Sequence, residues 1–151
     1  LPDKWSSIYH TNRYTDFTYS VRMKRTIGYA PNYITIRMGE TVNGSGFWYP
    51  GYYFGYDNWG NAFIREVDAT GSATSKYYAM SSAVVKKGWN TLQVKAIGWK
   101  FWFYINGTLI HFFTDTTFPR GFVGIASYKL GTTSQIFYVD WAKLVVNETI
   151  Q

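Results

Sequence analysis

Eight aromatic side chains fall within thirteen positions in the run Phe47-Trp48-Tyr49-Pro50-Gly51-Tyr52-Tyr53-Phe54-Gly55-Tyr56-Asp57-Asn58-Trp59. A β-strand turns successive side chains to opposite faces, so these rings cannot all enter one core; some must point outward or into a groove. Open indole and phenol rings suit one kind of recognition. The apolar C–H face of a sugar stacks on the ring, while fixed Asp, Asn or Arg groups hold its hydroxyls. Trp48, Tyr49, Tyr53 and Trp59 are therefore candidate stacking rings. Arg37, Asp57 and Asn58, in the run or on an expected neighbouring strand, are candidate polar selectors. The competing reading makes the same rings a core with cross-strand pairs worth about 0.2–1 kcal/mol each. Phe47 and Phe54 fit that reading better, because phenylalanine has no polar handle.

A second aromatic set is Trp99, Trp102 and Tyr104. Alternation over Lys100 to Ile105 puts Phe101, Phe103 and Ile105 on one face and Trp102 with Tyr104 on the other. If the first three face the core, the second pair lies on an outer surface, either as a flat platform for crystalline polysaccharide or, the favoured reading, packed against another module or shielded by lysine stems. The acids offer a rival chemistry. A glycosidase needs two carboxyl groups about 5–9.5 Å apart. Glu66 and Asp68 share a strand face, with Asp57 within reach of a fold that brings them together. His10 and His111 have no metal-like spacing and no cysteine near them, so neither zinc nor a Ser/His triad is indicated.

The elements that must position these residues are strands. Phe17 to Arg25 alternates apolar and polar, with Phe17, Tyr19, Val21 and Met23 on one buried face. Further strands are expected over Tyr33 to Met38, over Phe47 to Asp57 with a bulge or edge at Pro50-Gly51, and over Ala62 to Val67. Trp89 to Ile97 places Leu92, Val94 and Ala96 on one side. Asn106-Gly107 then joins Lys100–Ile105 to Leu109–Phe113 as a type I′ hairpin. Gly121 to Tyr128 and Ile136 to Val146 complete about ten short strands, with Ala79 to Lys87 read as one turn or a further strand. No long helix is indicated, so the class is all-β, a sandwich or barrel.

Of the 151 residues only 16% are charged, below the roughly 25% of an ordinary soluble domain. Aromatics at 21% take up the difference and supply ample surface to bury, which argues against intrinsic disorder. Cysteine is absent, so disulfides and thiolate metal sites are excluded. No apolar stretch approaches the roughly 18–20 residues of a spanning helix, and membrane insertion is not expected. The net charge of +6 comes from scattered cations, the only clusters being Arg22/Lys24/Arg25 and Lys86/Lys87. That density suits a solvated sheet face better than a nucleic-acid stripe. The chain starts at Leu1-Pro2-Asp3 without Met or a signal segment, which reads as a mature product or a fragment of a larger protein.

Several of these blocks together resemble the concanavalin A-like (laminin G-like) jelly-roll modules. They are Tyr14-Thr15-Asp16-Phe17 opening a long strand, the W-x-x-L-x-V pattern of Trp89 to Val94, and the Y-x-N-G hairpin at Tyr104 to Gly107. The G-x-V-G-I of Gly121 to Ile125 and the V-D-W of Val139 to Trp141 follow in the same order. The resemblance covers nearly the whole chain and implies one domain over residues 1–151, a two-sheet antiparallel jelly-roll sandwich with one concave and one convex sheet. It implies ligands on the concave face or its rim loops, with Tyr128 contributing from a concave strand and the Asn106-Gly107 hairpin on the convex one. It further implies a secreted or cell-surface carbohydrate-binding module, attached to other catalytic or surface domains and binding polysaccharide or oligosaccharide without a required cofactor. A structural Ca²⁺ is common in modules of this shape, with Asp16 and Asp140 as candidate oxygen ligands, although either Asp could equally cap a turn. The chain lacks the E-x-D-x-x-E strand of the catalytic jelly-roll glucanases, so non-catalytic binding is the expectation. A laminin-G-like adhesion module that recognises protein, and a glycan-cleaving enzyme, are the alternatives.

Overall fold

The computed structural model describes residues 4–131 and 134–147. Strands β1 (Lys4–Tyr9), β2 (Phe17–Ile27), β3 (Asn32–Met38), β4 (Thr41–Val42), β5 (Trp48–Tyr49), β6 (Gly51–Tyr56) and β7 (Asn61–Val67) occupy the first half. The rest are β8 (Ala73–Met80), β9 (Asn90–Ile97), β10 (Lys100–Ile105), β11 (Thr108–Thr114), β12 (Phe122–Lys129) and β13 (Ile136–Val146). They form a six-stranded antiparallel sheet in the order β1-β12-β3-β6-β7-β8 and a five-stranded one in the order β11-β10-β9-β2-β13. β4 and β5 pair separately as a short ribbon. The late strand β12 returns between β1 and β3, and β13 returns beside β2, the long-range crossings of a jelly roll.

The sandwich exists because both sheets alternate. Phe17, Tyr19, Val21 and Met23 of β2, Leu92, Val94 and Ala96 of β9, and Phe101, Phe103 and Ile105 of β10 all point inward and are buried. They meet Ile34 and Ile36 of β3, Tyr52, Phe54 and Tyr56 of β6, and Ala62 and Ile64 of β7. Each large apolar side chain sealed this way contributes roughly 1.5–3 kcal/mol before entropy is counted. The β10–β11 turn holds Asn106 and Gly107 at φ 50° and 80°, the left-handed pair that a type I′ hairpin demands. Among the described residues no helix is long and apolar enough to cross a membrane.

Several parts of the chain depart from the sequence reading. β1 and most of β8 were not expected, because Lys4–Tyr9 and Ala73–Met80 bury little: they are the two edges of the six-stranded sheet. The segment Ala79–Lys87 divides. Met80 closes β8, and the turns that follow tuck Val84 into the core. The aromatic run also breaks at Pro50, so that Trp48 and Tyr49 belong to the ribbon while residues from Gly51 onward cross the sheet.

Candidate functional site

The inward alternation of the six-stranded sheet leaves a second set of rings on its outer face. Register lines up Ser7, Ala126, Tyr33, Gly55, Phe63 and Tyr78 across β1, β12, β3, β6, β7 and β8. The adjacent row is Tyr9, Gly124, Thr35, Tyr53, Arg65 and Ser75. Two glycines let rings lie flat on the backbone. A Cβ at Gly124 would come 2.5 Å from Tyr9 Cδ1, and one at Gly55 would come 2.5 Å from Tyr33 Cδ1. Here the requirement is close approach, not unusual φ.

The β4–β5 ribbon folds over this face. Its turn docks on β1, where the Trp5 amide donates to Ser45 O at 3.1 Å. Phe47 then covers Trp5 and Tyr53 at ring distances of 5.0 and 5.4 Å, and the Tyr53 hydroxyl donates to Trp48 O at 2.6 Å. Two bays remain beside it. In the first, of about 460 Å³, Tyr9, Trp48 and Phe122 supply apolar surface, and Ser7, His10, Thr11 and Glu40 supply the polar rim. Trp48 packs 4.8 Å from Tyr9 there, and Arg13 neutralises Glu40 at 2.6 Å.

The second bay is a trough built from both ends of the chain. One part, about 320 Å³, is lined by Trp5, Pro31, Tyr33, Arg65, Tyr128 and Leu130. The Trp5 ring stands 5.0 Å from Tyr128 and 5.7 Å from Tyr33. The adjoining part, about 340 Å³, is lined by Phe63, Arg65, Ala73, Ser75 and Tyr78. Arg65 belongs to both parts. Its guanidinium lies 5.9 Å from the Phe63 ring centre and bears on the Tyr33 phenol, whose pKa burial pushes up to about 12 while the Arg65 charge pulls the other way. Below the trough the buried Arg25 crosses from β2 and donates to Asn32 Oδ1 at 2.8 Å, Ser127 Oγ at 2.5 Å and Tyr128 O at 2.9 Å, so it anchors the β12 segment that carries Tyr128. Burial lowers its pKa to about 10.

The residues expected from sequence are dispersed. Tyr128 lies in the trough. Trp48 lines the first bay, and the half-buried Tyr49 packs on Phe47 and over Gly71. Trp59, 54% exposed, sits in the β6–β7 loop, stacked on Tyr29 at 4.8 Å and apart from both bays. Tyr53 faces the right way but is only 1% exposed, sealed beneath Phe47 and Trp5, so it cannot stack on a ligand. Arg37 is not a selector. Its φ of 53° and the register shift between β3 and β12 turn it off the outer face. The buried guanidinium instead donates to Phe118 O, Thr15 O and Gly98 O and lies over Phe101. Asp57 and Asn58 are also withdrawn. Asp57 Oδ1 accepts from the amides of Trp59 and Asn61, while buried Asn58 donates to Arg25 O and Gly28 O and accepts from the Lys87 amide. Both are short polar side chains holding a tight turn together.

The two carboxylates offered for calcium do not converge. Asp16 precedes β2 and accepts from the Gly98 amide, while Asp140 lies midway along the β2–β13 ladder and pairs with Arg22. They do not fit a calcium site, and among the described residues no group of three or more His, Asp or Glu gathers. The acidic trio also fails to meet. Asp57 is at the opposite end of the β6–β7 hairpin from Glu66; Asp68 is tied into its own turn by Thr70 and Ser72. Glu66 points away from Arg65, toward Lys76, which bridges it at 2.7 Å and Asp115 at 3.2 Å. Burial alone would raise the Asp115 carboxyl, but hydrogen bonds from Thr117 and Lys76 hold it down at about 2. On the five-stranded sheet Trp102 packs against Phe112 at 5.1 Å, with Lys95 Nζ 5.6 Å from its ring, the lysine-covered arrangement anticipated for it.

Sequence reasoning missed Trp5, Tyr33, Phe63, Arg65 and Tyr78. The signal for Phe63 and Arg65 was present, since they alternate with the buried Ala62 and Ile64. No protein-family model matches the chain, and no curated protein matches it. Solved structures do. The chain superposes on a legume lectin-like domain from Entamoeba histolytica with a TM-score of 0.71 at 13% identity, covering 98% of this chain and 81% of that one. On the carbohydrate-binding module CBM66 from Bacillus subtilis the TM-score is 0.68 at 17% identity, covering 91% and 80%. On the galectin LEC-6 from Caenorhabditis elegans it is 0.63 at 15% identity, covering 93% and 89%. Glycoside hydrolases share the architecture as well. At these identities what is shared is the fold, a concanavalin A-like jelly roll.

Proposed function

We propose that the chain is a non-catalytic saccharide-binding module whose ligand lies in the trough on the outer face of the six-stranded sheet. One observation carries the reading: a half-buried Trp5, flanked by Tyr33 and Tyr128, opens onto a cavity of about 320 Å³ that also contains the exposed Arg65. An indole presented beside a planar hydrogen-bond donor matches the apolar face and the equatorial polar groups of a pyranose. The lectin-like domain, the carbohydrate-binding module and the galectin of the same architecture support this reading. Trp48 would extend the surface through the first bay, while Trp59, stacked on Tyr29 apart from both bays, would not take part. Secretion or cell-surface display and linkage to further domains belong to the same proposal. Among the described residues the trough lining contains no Asp or Glu, which favours binding over hydrolysis by a carboxyl pair there.

Titration with soluble oligosaccharides, followed by tryptophan fluorescence and calorimetry, tests the placement. Trp5→Ala should weaken binding by roughly thirtyfold, the loss of a central aromatic anchor, whereas Trp5→Phe should retain most of the affinity. Trp59→Ala should leave it within twofold. Full affinity in a folded Trp5→Ala variant would remove the trough from consideration.

A further inference from the structure

We propose, on the premise that the trough is the saccharide site, that it selects an acidic sugar, one bearing a carboxylate or a sulfate, through Arg65. The first observation is the state of that side chain. Arg65 is exposed, and among the described residues no carboxylate pairs with it and no hydrogen-bond acceptor engages it; it lies 5.9 Å from the Phe63 ring and bears on the Tyr33 phenol. The acids nearest in sequence are already occupied, Glu66 by Lys76 on the other side of the sheet and Asp68 by Thr70 and Ser72.

The second observation is the polar inventory of the lining. Among the described residues Trp5, Tyr33, Phe63, Tyr78 and Tyr128 stand around Arg65, with the small hydroxyl of Ser75. No Asp, Glu, Asn or Gln side chain is among these described residues. A neutral sugar presents hydroxyls, each of which donates as well as accepts, and a site for it needs side-chain acceptors. Among its described residues this trough offers a five-donor guanidinium and phenol or hydroxyl groups that both donate and accept, but no carboxylate or amide oxygen, so its balance leans toward donors. Such a lining is matched by a ligand group that only accepts. Carboxylate and sulfate oxygens are of that kind, and a planar guanidinium takes them through two parallel hydrogen bonds. The +6 charge of the chain favours approach of an anion.

The test uses an array of oligosaccharides in which neutral, uronate and sulfated members of the same backbone are paired, with galacturonate oligomers and their methyl esters as the solution probe. Acidic members should bind at least tenfold more tightly than their neutral partners, and the uronate and sulfate arms show which anion is preferred. Arg65→Gln should abolish the preference, Arg65→Lys should restore part of it, and Lys143→Gln, which removes the same charge from the other sheet, should preserve it. Equal losses in Arg65→Gln and Lys143→Gln would reduce the effect to diffuse charge attraction and overturn the proposal. Neutral and acidic members binding alike, with Trp5→Ala still abolishing both, would also overturn it while leaving the saccharide site intact. Binding to no member of the array would remove the saccharide reading and this inference together.

Discussion

Both outer faces of the sandwich combine aromatic rings with cations, yet the two are in opposite states. On the five-stranded sheet the cations are spent on the rings. Arg22 and Lys24 both lie 4.5 Å from the Trp89 ring, Lys24 also approaches Tyr138, and Lys95 covers Trp102. Arg22 is further paired with Asp140. On the six-stranded sheet the rings are spent on each other, Trp5 being packed among Tyr33, Phe47, Tyr53 and Tyr128, and Arg65 of the trough has its hydrogen-bonding fork free of acceptors among the described residues. The difference teaches that a count of aromatics and lysines does not locate a binding face. What matters is whether the polar partner of the ring is supplied by the protein or left for a ligand.

The comparison can be broken most forcefully at Arg25, which ties β2 of one sheet to the trough segment of the other. Arg25→Met should cost about 2–3 kcal/mol in denaturant unfolding, because Asn32, Ser127 and Tyr128 O lose a buried donor at once. It should also loosen Tyr128, seen as weaker saccharide binding in the fraction that folds. Next in size is the pair Trp5→Ala and Trp102→Ala. The first should lose about 2 kcal/mol of binding, and the second should leave binding unchanged while lowering stability by about 1 kcal/mol, read by calorimetry and thermal melts. Lys95→Ala should cost only about 0.5 kcal/mol of stability, the scale of an exposed cation–π contact. The smallest effect concerns acid. Asp115 has its carboxyl held at about 2, below the ordinary value near 4, so its contribution is present above pH 4 and lost as pH falls toward 2. Asp115→Asn should therefore flatten part of the decline in unfolding free energy across that window and leave the neutral-pH trough affinity unchanged.

The fold was legible where its signals are local. Phe17 to Met23 and Leu92 to Ala96 alternate without interruption, and Asn106-Gly107 writes its turn into two adjacent residues. The aromatic character of the candidate site was legible, but its place was not. Trp5 reaches Tyr128 only through the β1–β12 pairing, which joins opposite ends of the chain and leaves no trace in either segment alone. Arg37 shows how one backbone angle defeats a period-two argument: alternation puts it with Tyr33 on the outer face, and a left-handed φ with a bulge sends it inward. Asp57 and Asn58 show a different limit. The side chains that grip a sugar hydroxyl are the same ones that close a turn, and composition does not distinguish the two uses.

The ribbon that roofs part of the outer face has one more effect. β1 is a terminal strand of its sheet, and a bare terminal strand invites another chain to zip onto it. The Trp5 amide, which turns away from β12, is already satisfied by Ser45, and Gly46 lies against the Trp5 carbonyl. An incoming strand thus meets an occupied backbone and a wall at that point, so the loop that roofs part of the outer face also blunts that border.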